Sequence, residues 1–118
     1  MALAEVMDAL QTAPRIQLTV TGRRSGRHIS NPVAFVQDGE KLYLLPVGGS
    51  GSDWYRNVRK TPTIRIAVGG AETSARAMPI TDPASVSDIV DKFRTKFGAA
   101  DLERGWPKRD VAIEVTLA

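Results

Sequence analysis

Cysteine is absent from the 118-residue sequence, and histidine occurs once, at His28. The first absence excludes disulfides, thiolate metal sites, iron–sulfur clusters and a cysteine nucleophile. The second leaves no recognisable metal-ligand spacing, and no serine stands in a nucleophile-elbow context, so a hydrolytic triad is not expected. Aromatic residues make up only 6% of the chain. No stacking pair lies on one strand beside the arginines, which argues against nucleic acid as the partner. No run reaches the ~20 apolar residues that a membrane span needs, and Met1–Val6 lacks a basic region followed by an apolar stretch. Cytoplasmic residence is the expectation, with no transmembrane segment.

Acidic residues are scarce in one half of the chain. Between residues 15 and 65 stand nine Lys/Arg (Arg15, Arg23, Arg24, Arg27, Lys41, Arg56, Arg59, Lys60, Arg65) against three acids (Asp38, Glu40, Asp53). That half attracts anions, but charge alone does not distinguish a phosphorylated small molecule from a nucleic acid or an anionic membrane surface. If the protein is an enzyme, the reactive group arrives with a cofactor and the chain supplies orientation and electrostatics.

What is present reads as one domain over residues 1–118, since a second core would have too little apolar surface to bury. Leu3, Val6, Met7 and Leu10 recur at helical spacing before Pro14. Ile16, Leu18 and Val20 alternate with polar residues as in a half-buried strand, and residues 28–37 form a second strand closed by Asp38-Gly39. Strands are also expected over residues 41–47, 64–68, 72–80 and 111–117. Ser52 or Asp53 starts a brief helix through Lys60. Asp82-Pro83 caps a longer one, in which Val86, Ile89, Val90, Phe93 and Phe97 share a face until Gly98. Six strands with hairpin signals between them and two or three short flanking helices predict a mainly β, antiparallel small barrel.

Three features carry candidate chemistry. In Gly22-Arg23-Arg24-Ser25-Gly26-Arg27, flanking glycines let backbone N–H groups converge while planar guanidinium forks match phosphate oxygens. A solvated hairpin loop is the alternative reading. The Gly48-Gly49-Ser50-Gly51-Ser52 loop feeds the N-terminus of the helix bearing Trp54 and Asn57, an arrangement that favours anions. Trp54 is equally readable as a core anchor or a ring contact. In Asn31-Pro32-Val33, proline inside a strand marks an edge or bulge and frees nearby backbone groups for a ligand.

Taken together, Leu18-Thr19-Val20-Thr21-Gly22-Arg23-Arg24-Ser25-Gly26, Asn31-Pro32-Val33, Asp38-Gly39, Gly48-Gly49, Trp54-Tyr55-Arg56-Asn57-Val58 and Thr61-Pro62 resemble the deazaflavin-dependent nitroreductase family. Arg109–Ile113 is similar to that family's closing strand. The resemblance implies a split β-barrel of the FMN-binding type and the coenzyme F420, a two-electron hydride carrier with a phosphorylated, anionic tail. It also implies an oxidoreductase delivering hydride to a quinone, enone or nitro compound. By the same resemblance Arg23, Arg24, Ser25 and Gly26 face the phosphate and tail, and Asn31, Pro32 and Val33 edge the ring. Gly48, Gly49, Trp54 and Asn57 complete the pocket. The chain departs from the family pattern at Pro46-Val47, where many members have Ser-Lys, and its tyrosines are Tyr43 and Tyr55 alone. Two alternatives follow from those departures: FMN in place of F420, or a non-catalytic carrier of FMN, haem or a lipid. A homodimer is a further expectation, since split barrels often place the cofactor near a subunit interface.

Overall fold

The computed structural model describes residues 2–117. The elements are α1 (Ala2–Leu10), β1 (Ile16–Thr21), β2 (His28–Val33), β3 (Val36–Asp38), β4 (Lys41–Leu44), α2 (Asp53–Lys60), β5 (Thr63–Val68), β6 (Ala71–Ile80), α3 (Pro83–Phe97), α4 (Ala99–Gly105) and β7 (Ala112–Thr116). A single 3-10 turn, Gly49–Gly51, precedes α2.

All strands join one antiparallel sheet in the order β2-β1-β5-β6-β7-β4-β3. The expected strand over 28–37 is two strands, which makes seven rather than six, and they lie at opposite edges of the sheet. This correction explains the shape. A flat sheet with six inter-strand spacings would hold its edges about 29 Å apart,. Yet β2 ends at Val33 and β3 begins at Val36, a separation of three residue steps that spans at most about 11 Å. The sheet must curl until its edges nearly meet, and the result is a split barrel.

Alternation then sorts the side chains. Ile16, Leu18, Val20, Leu42, Leu44, Ile64, Ile66, Ile113 and Val115 point into the curl, where Val6 and Leu10 of α1 and Tyr55 and Val58 of α2 join them in one buried cluster. A smaller cluster lies outside, where Val86, Ile89, Val90 and Phe93 of α3 and Leu102 of α4 cover Val36, Leu45 and Ala112. Trp106 completes it, donating its indole N–H to Leu45 O at 2.9 Å.

The long helix is built as its sequence implies. The Asp82 carboxylate accepts from Ser85 N at 3.0 Å, Pro83 occupies the first turn, and Gly98 ends the helix at φ +90°. Helix α4 was not anticipated; its one buried anchor is Leu102, too little to show a period. The strand expected over 41–47 stops at Leu44, and Leu45 turns to the outer cluster instead.

Candidate functional site

The β1–β2 hairpin carries the arginine turn. Gly22 N donates to Arg27 O at 2.7 Å and Gly26 N to Gly22 O at 2.9 Å, so both glycine amides close the turn on itself. Gly26 takes φ +72°, a conformation that favours glycine. Arg27 N donates to Ser25 Oγ at 3.1 Å and Arg23 N to Asn57 Oδ1 at 3.0 Å. Of the amides in the turn, those of Arg24 and Ser25 have no partner among the described residues. Hairpin closure uses the two glycine amides, so of the backbone N–H groups expected to converge in the turn only those of Arg24 and Ser25 are left for a ligand.

Helix α2 is docked against this turn. Asn57, the one buried polar residue among those described, accepts both Arg23 N and Arg23 Nη1, the latter at 2.9 Å. Asp53 pairs with Arg23 Nη2 at 3.4 Å, and Lys60 Nζ donates to Arg23 O at 2.7 Å. Together Gly22, Arg23, Arg24, Ser25, Ile29, Asp53 and Asn57 line a cavity of about 240 Å³. Two motifs that lie 34 residues apart in sequence are thus one structural unit.

The glycine loop is tied elsewhere. Ser50 donates to Asp110 twice, from N at 3.0 Å and from Oγ at 2.5 Å. These bonds, the Ser50 hydroxyl above all, hold the Asp110 carboxyl below its ordinary range. Gly49 sits at φ +60°, and a Cβ there would overlap the Asp110 carboxylate and the Lys108 stem. Gly48 N donates to Ser52 Oγ at 2.9 Å, so the Ser52 hydroxyl serves the loop and does not cap α2. The helix N-terminus already carries the Asp53 carboxylate, which answers its dipole. Loop 48–52 is therefore tied to Asp110 and does not line the cavity at the arginine turn.

Asn31-Pro32-Val33 lies in β2, the open edge of the sheet, where proline's missing N–H costs no central ladder bond. Register separates the three side chains. Asn31 and Val33 oppose Leu18 and Ile16 and so face the inner side, whereas Pro32 opposes Gln17 on the outer side. Although Ile29, Asn31 and Val33 share the side on which β1 is buried, Ile29 is 40% exposed, Asn31 is exposed and Val33 is half-buried. Val33 packs against the inner cluster, but among the described residues neither α1 nor α2 lies on β2 as α2 lies on β1 and α1 on β5. Trp54 is half-buried and packs on the inner cluster, which supports its reading as a core anchor.

Two clefts of about 500 Å³ each lie elsewhere, besides one of about 400 Å³ beside Arg109 and Asp110. One, of about 510 Å³, is lined by Asp88, Asp91 and Glu114 against the single cation Lys92, a net negative charge that disfavours a phosphate. The other, of about 500 Å³, contains Lys92 already paired with Asp38 at 3.1 Å, and Lys96, whose Nζ donates to Phe35 O at 2.6 Å. Tyr55 is buried inside the curl, and desolvation pushes its phenol pKa up. Neither tyrosine lines the cavity at the arginine turn.

Asp53 and Asp110 are the residues that sequence reasoning missed. Their partners stand 30 and 60 positions away, and no local pattern announces such pairs. Among the described residues no cluster of His, Asp or Glu could hold a metal, and no helix is long and apolar enough to cross a membrane.

A curled antiparallel sheet with a basic turn and an uncovered inner strand face at its open edge defines a split-barrel cofactor protein. The chain belongs to the F420H(2)-dependent quinone reductase family, whose model matches residues 2–116. It is accordingly an F420-dependent oxidoreductase. Among solved structures it is similar to the F420-H2 dependent reductase FDR-A, at 19% identity and a TM-score of 0.67, over 86% of this chain and 93% of that one. The heme storage protein HutZ from Vibrio cholerae superposes with a TM-score of 0.73 at 16% identity, over 96% and 87% of the two chains. A structure described as a domain-swapped dimer matches with a TM-score of 0.69 at 18% identity, over 95% and 92%. At these identities the structural likeness is one of fold.

Proposed function

We propose that the reduced coenzyme is held along the inner face of β2, with its phosphate and tail at the 22–26 turn, and that the acceptor is an electrophilic small molecule of the quinone type. The observation that carries this reading is the uncovered inner side of β2, where Ile29, Asn31 and Val33 stand beside a turn rich in guanidinium groups. The residues fit such a group chemically. Arg24 and Arg27 are exposed forks suited to phosphate oxygens, and Arg56 lies one helical turn from Asp53 and Lys60. Asp53, the carboxylate in that cavity, is already neutralised by Arg23.

When bound, F420 supplies a hydride, and no protein side chain need react covalently. The residues of the chain orient and exclude. Ile29 and Val33 offer an apolar wall, Asn31 a polar group between them, and the loop fixed by Asp110 the far side with Gly48 and Gly49. Val47, 57% exposed where many relatives have lysine, adds apolar surface instead of charge, so the arginine turn carries the anionic tail. Trp54 buttresses that wall from α2. Enones and activated nitro compounds are acceptors of the same electrophilic class.

In a homodimer formed through the open edge of β2, a second copy of the chain would stand next to the groove; sedimentation tests whether the protein is a dimer. Fluorescence titration with oxidised and reduced F420, with FMN in parallel, tests the cofactor assignment. The expected outcome is saturable binding of F420 in preference to FMN. Binding of FMN alone, or of neither, contradicts it.

A further inference from the structure

Resting on the reading that the 22–26 turn faces the coenzyme phosphate, we infer that its adjacent arginines have separate tasks. Arg23 is a positioning residue that does not touch the ligand, and Arg24 is the cation that does.

Both terminal nitrogens of the Arg23 guanidinium, and its backbone N and O, bond to α2. Nη1 donates to Asn57 Oδ1 at 2.9 Å and to Asp53 O at 3.4 Å, and Nη2 donates to Asp53 Oδ1 at 3.4 Å. Its backbone N donates to Asn57 Oδ1 at 3.0 Å and its carbonyl accepts from Lys60 Nζ at 2.7 Å. The side chain is only 22% exposed. To swing onto a phosphate the guanidinium would give up its bonds to Asn57 and Asp53, leaving the buried Asn57 oxygen with Arg23 N alone. Its charge is also offset by Asp53. A group so placed fixes the turn relative to the helix and has little field left for a ligand.

Arg24 is the opposite case. It is exposed, lines the same cavity, and has no hydrogen-bond or ion-pair partner among the described residues. Its amide and that of Ser25 are the turn's unused backbone donors. Guanidinium and amides together suit an anion's oxygens. Arg23 therefore acts through geometry, setting where Arg24 and those amides stand, while Arg24 supplies charge to the bound anion.

The experiment is a fluorescence titration with F420 at a series of salt concentrations, paired with thermal melts, on the wild type, Arg24→Gln and Arg23→Gln. Arg24→Gln should raise Kd about tenfold and flatten its dependence on salt, with an unchanged Tm. Arg23→Gln should lower Tm by about 4 °C or more and weaken binding while keeping the wild-type salt slope. An Arg23→Gln variant with wild-type Tm and a slope as flat as that of Arg24→Gln overturns the division. Should Arg23→Gln fail to fold, Asn57→Ser cuts the same clamp and leaves the charge in place. The positioning role then predicts weakened binding at the wild-type slope, whereas a ligand-contacting Arg23 predicts wild-type affinity. Absence of F420 binding by the wild type contradicts the cofactor site itself. In that event the clamp still stands or falls on the thermal arm: non-additive Tm losses for Arg23→Gln and Asn57→Ser support it, and wild-type Tm in both contradicts it.

Discussion

One stretch of chain, His28–Asp38, supplies both edges of the sheet, and the protein treats the two edges differently. At the β3 edge Val36 is buried under α3, Lys92 pairs with Asp38, and the Lys96 amine lies 4.1 Å from the Phe35 ring while donating to its carbonyl. At the β2 edge no residue is buried, even on the side where the neighbouring strand is. A chain of 118 residues has limited apolar surface to distribute. Spent on the β3 edge, it closes the fold; withheld from the β2 edge, it leaves open the wall on which we propose the coenzyme lies. The hinge between them is Phe35, 1% exposed, which pins the crossover into the inner core.

The comparison is broken most severely at that hinge. Phe35→Ala should cost about 3–5 kcal/mol of stability, enough to unfold much of the population, as read by denaturant melts. A loss under about 1 kcal/mol would mean that the crossover is not what holds the edges together. Next in size is Gly49→Ala, where a Cβ meets the Asp110 carboxylate and Lys108 at a positive φ. A loss of about 1–3 kcal/mol is expected, with weakened F420 binding.

A smaller effect separates the loop wall from the rest by pH. The folded-state pKa of Asp110 is depressed, chiefly by Ser50, so its contribution is complete above the ordinary carboxylate range and fades as pH falls through the folded value. The Tm gap between wild type and Asp110→Ala should therefore be widest near neutrality and shrink as pH falls below the ordinary carboxylate range. A gap that widens in acid would show that the latch works otherwise. Ile29→Ala is the mildest change: stability should stay within about 0.5 kcal/mol because the side chain is half in solvent, while F420 Kd rises severalfold. Equal loss of stability and binding would mean that Ile29 belongs to the core.

Much of this was legible from spacing. Strict alternation marked β1, β5 and β7, and Asp82-Pro83 with Gly98 bounded α3, because these signals are local and the helix face is broad. The break at Ala34-Phe35 was not legible, since Ile29, Asn31, Val33 and Phe35 keep one alternation straight through it. Only the tertiary demand to bury Phe35 and curl the sheet decides where the strand ends. That residues 22–27 turn the chain between two strands was legible, but what the parts of the turn do was hidden. Gly22 and Gly26 close the hairpin, and Arg23 is claimed by Asn57 and Asp53 from a helix far along the chain. Pro32 was grouped with Asn31 and Val33 by adjacency, whereas the pleat sends it to the other face.

The most direct test of the two-edge account is hydrogen exchange on the native protein with and without F420. Added protection is predicted in residues 22–33, with residues 36–38 and α3 unchanged. Protection confined to the β3 edge and α3, or spread evenly over the sheet, would contradict it.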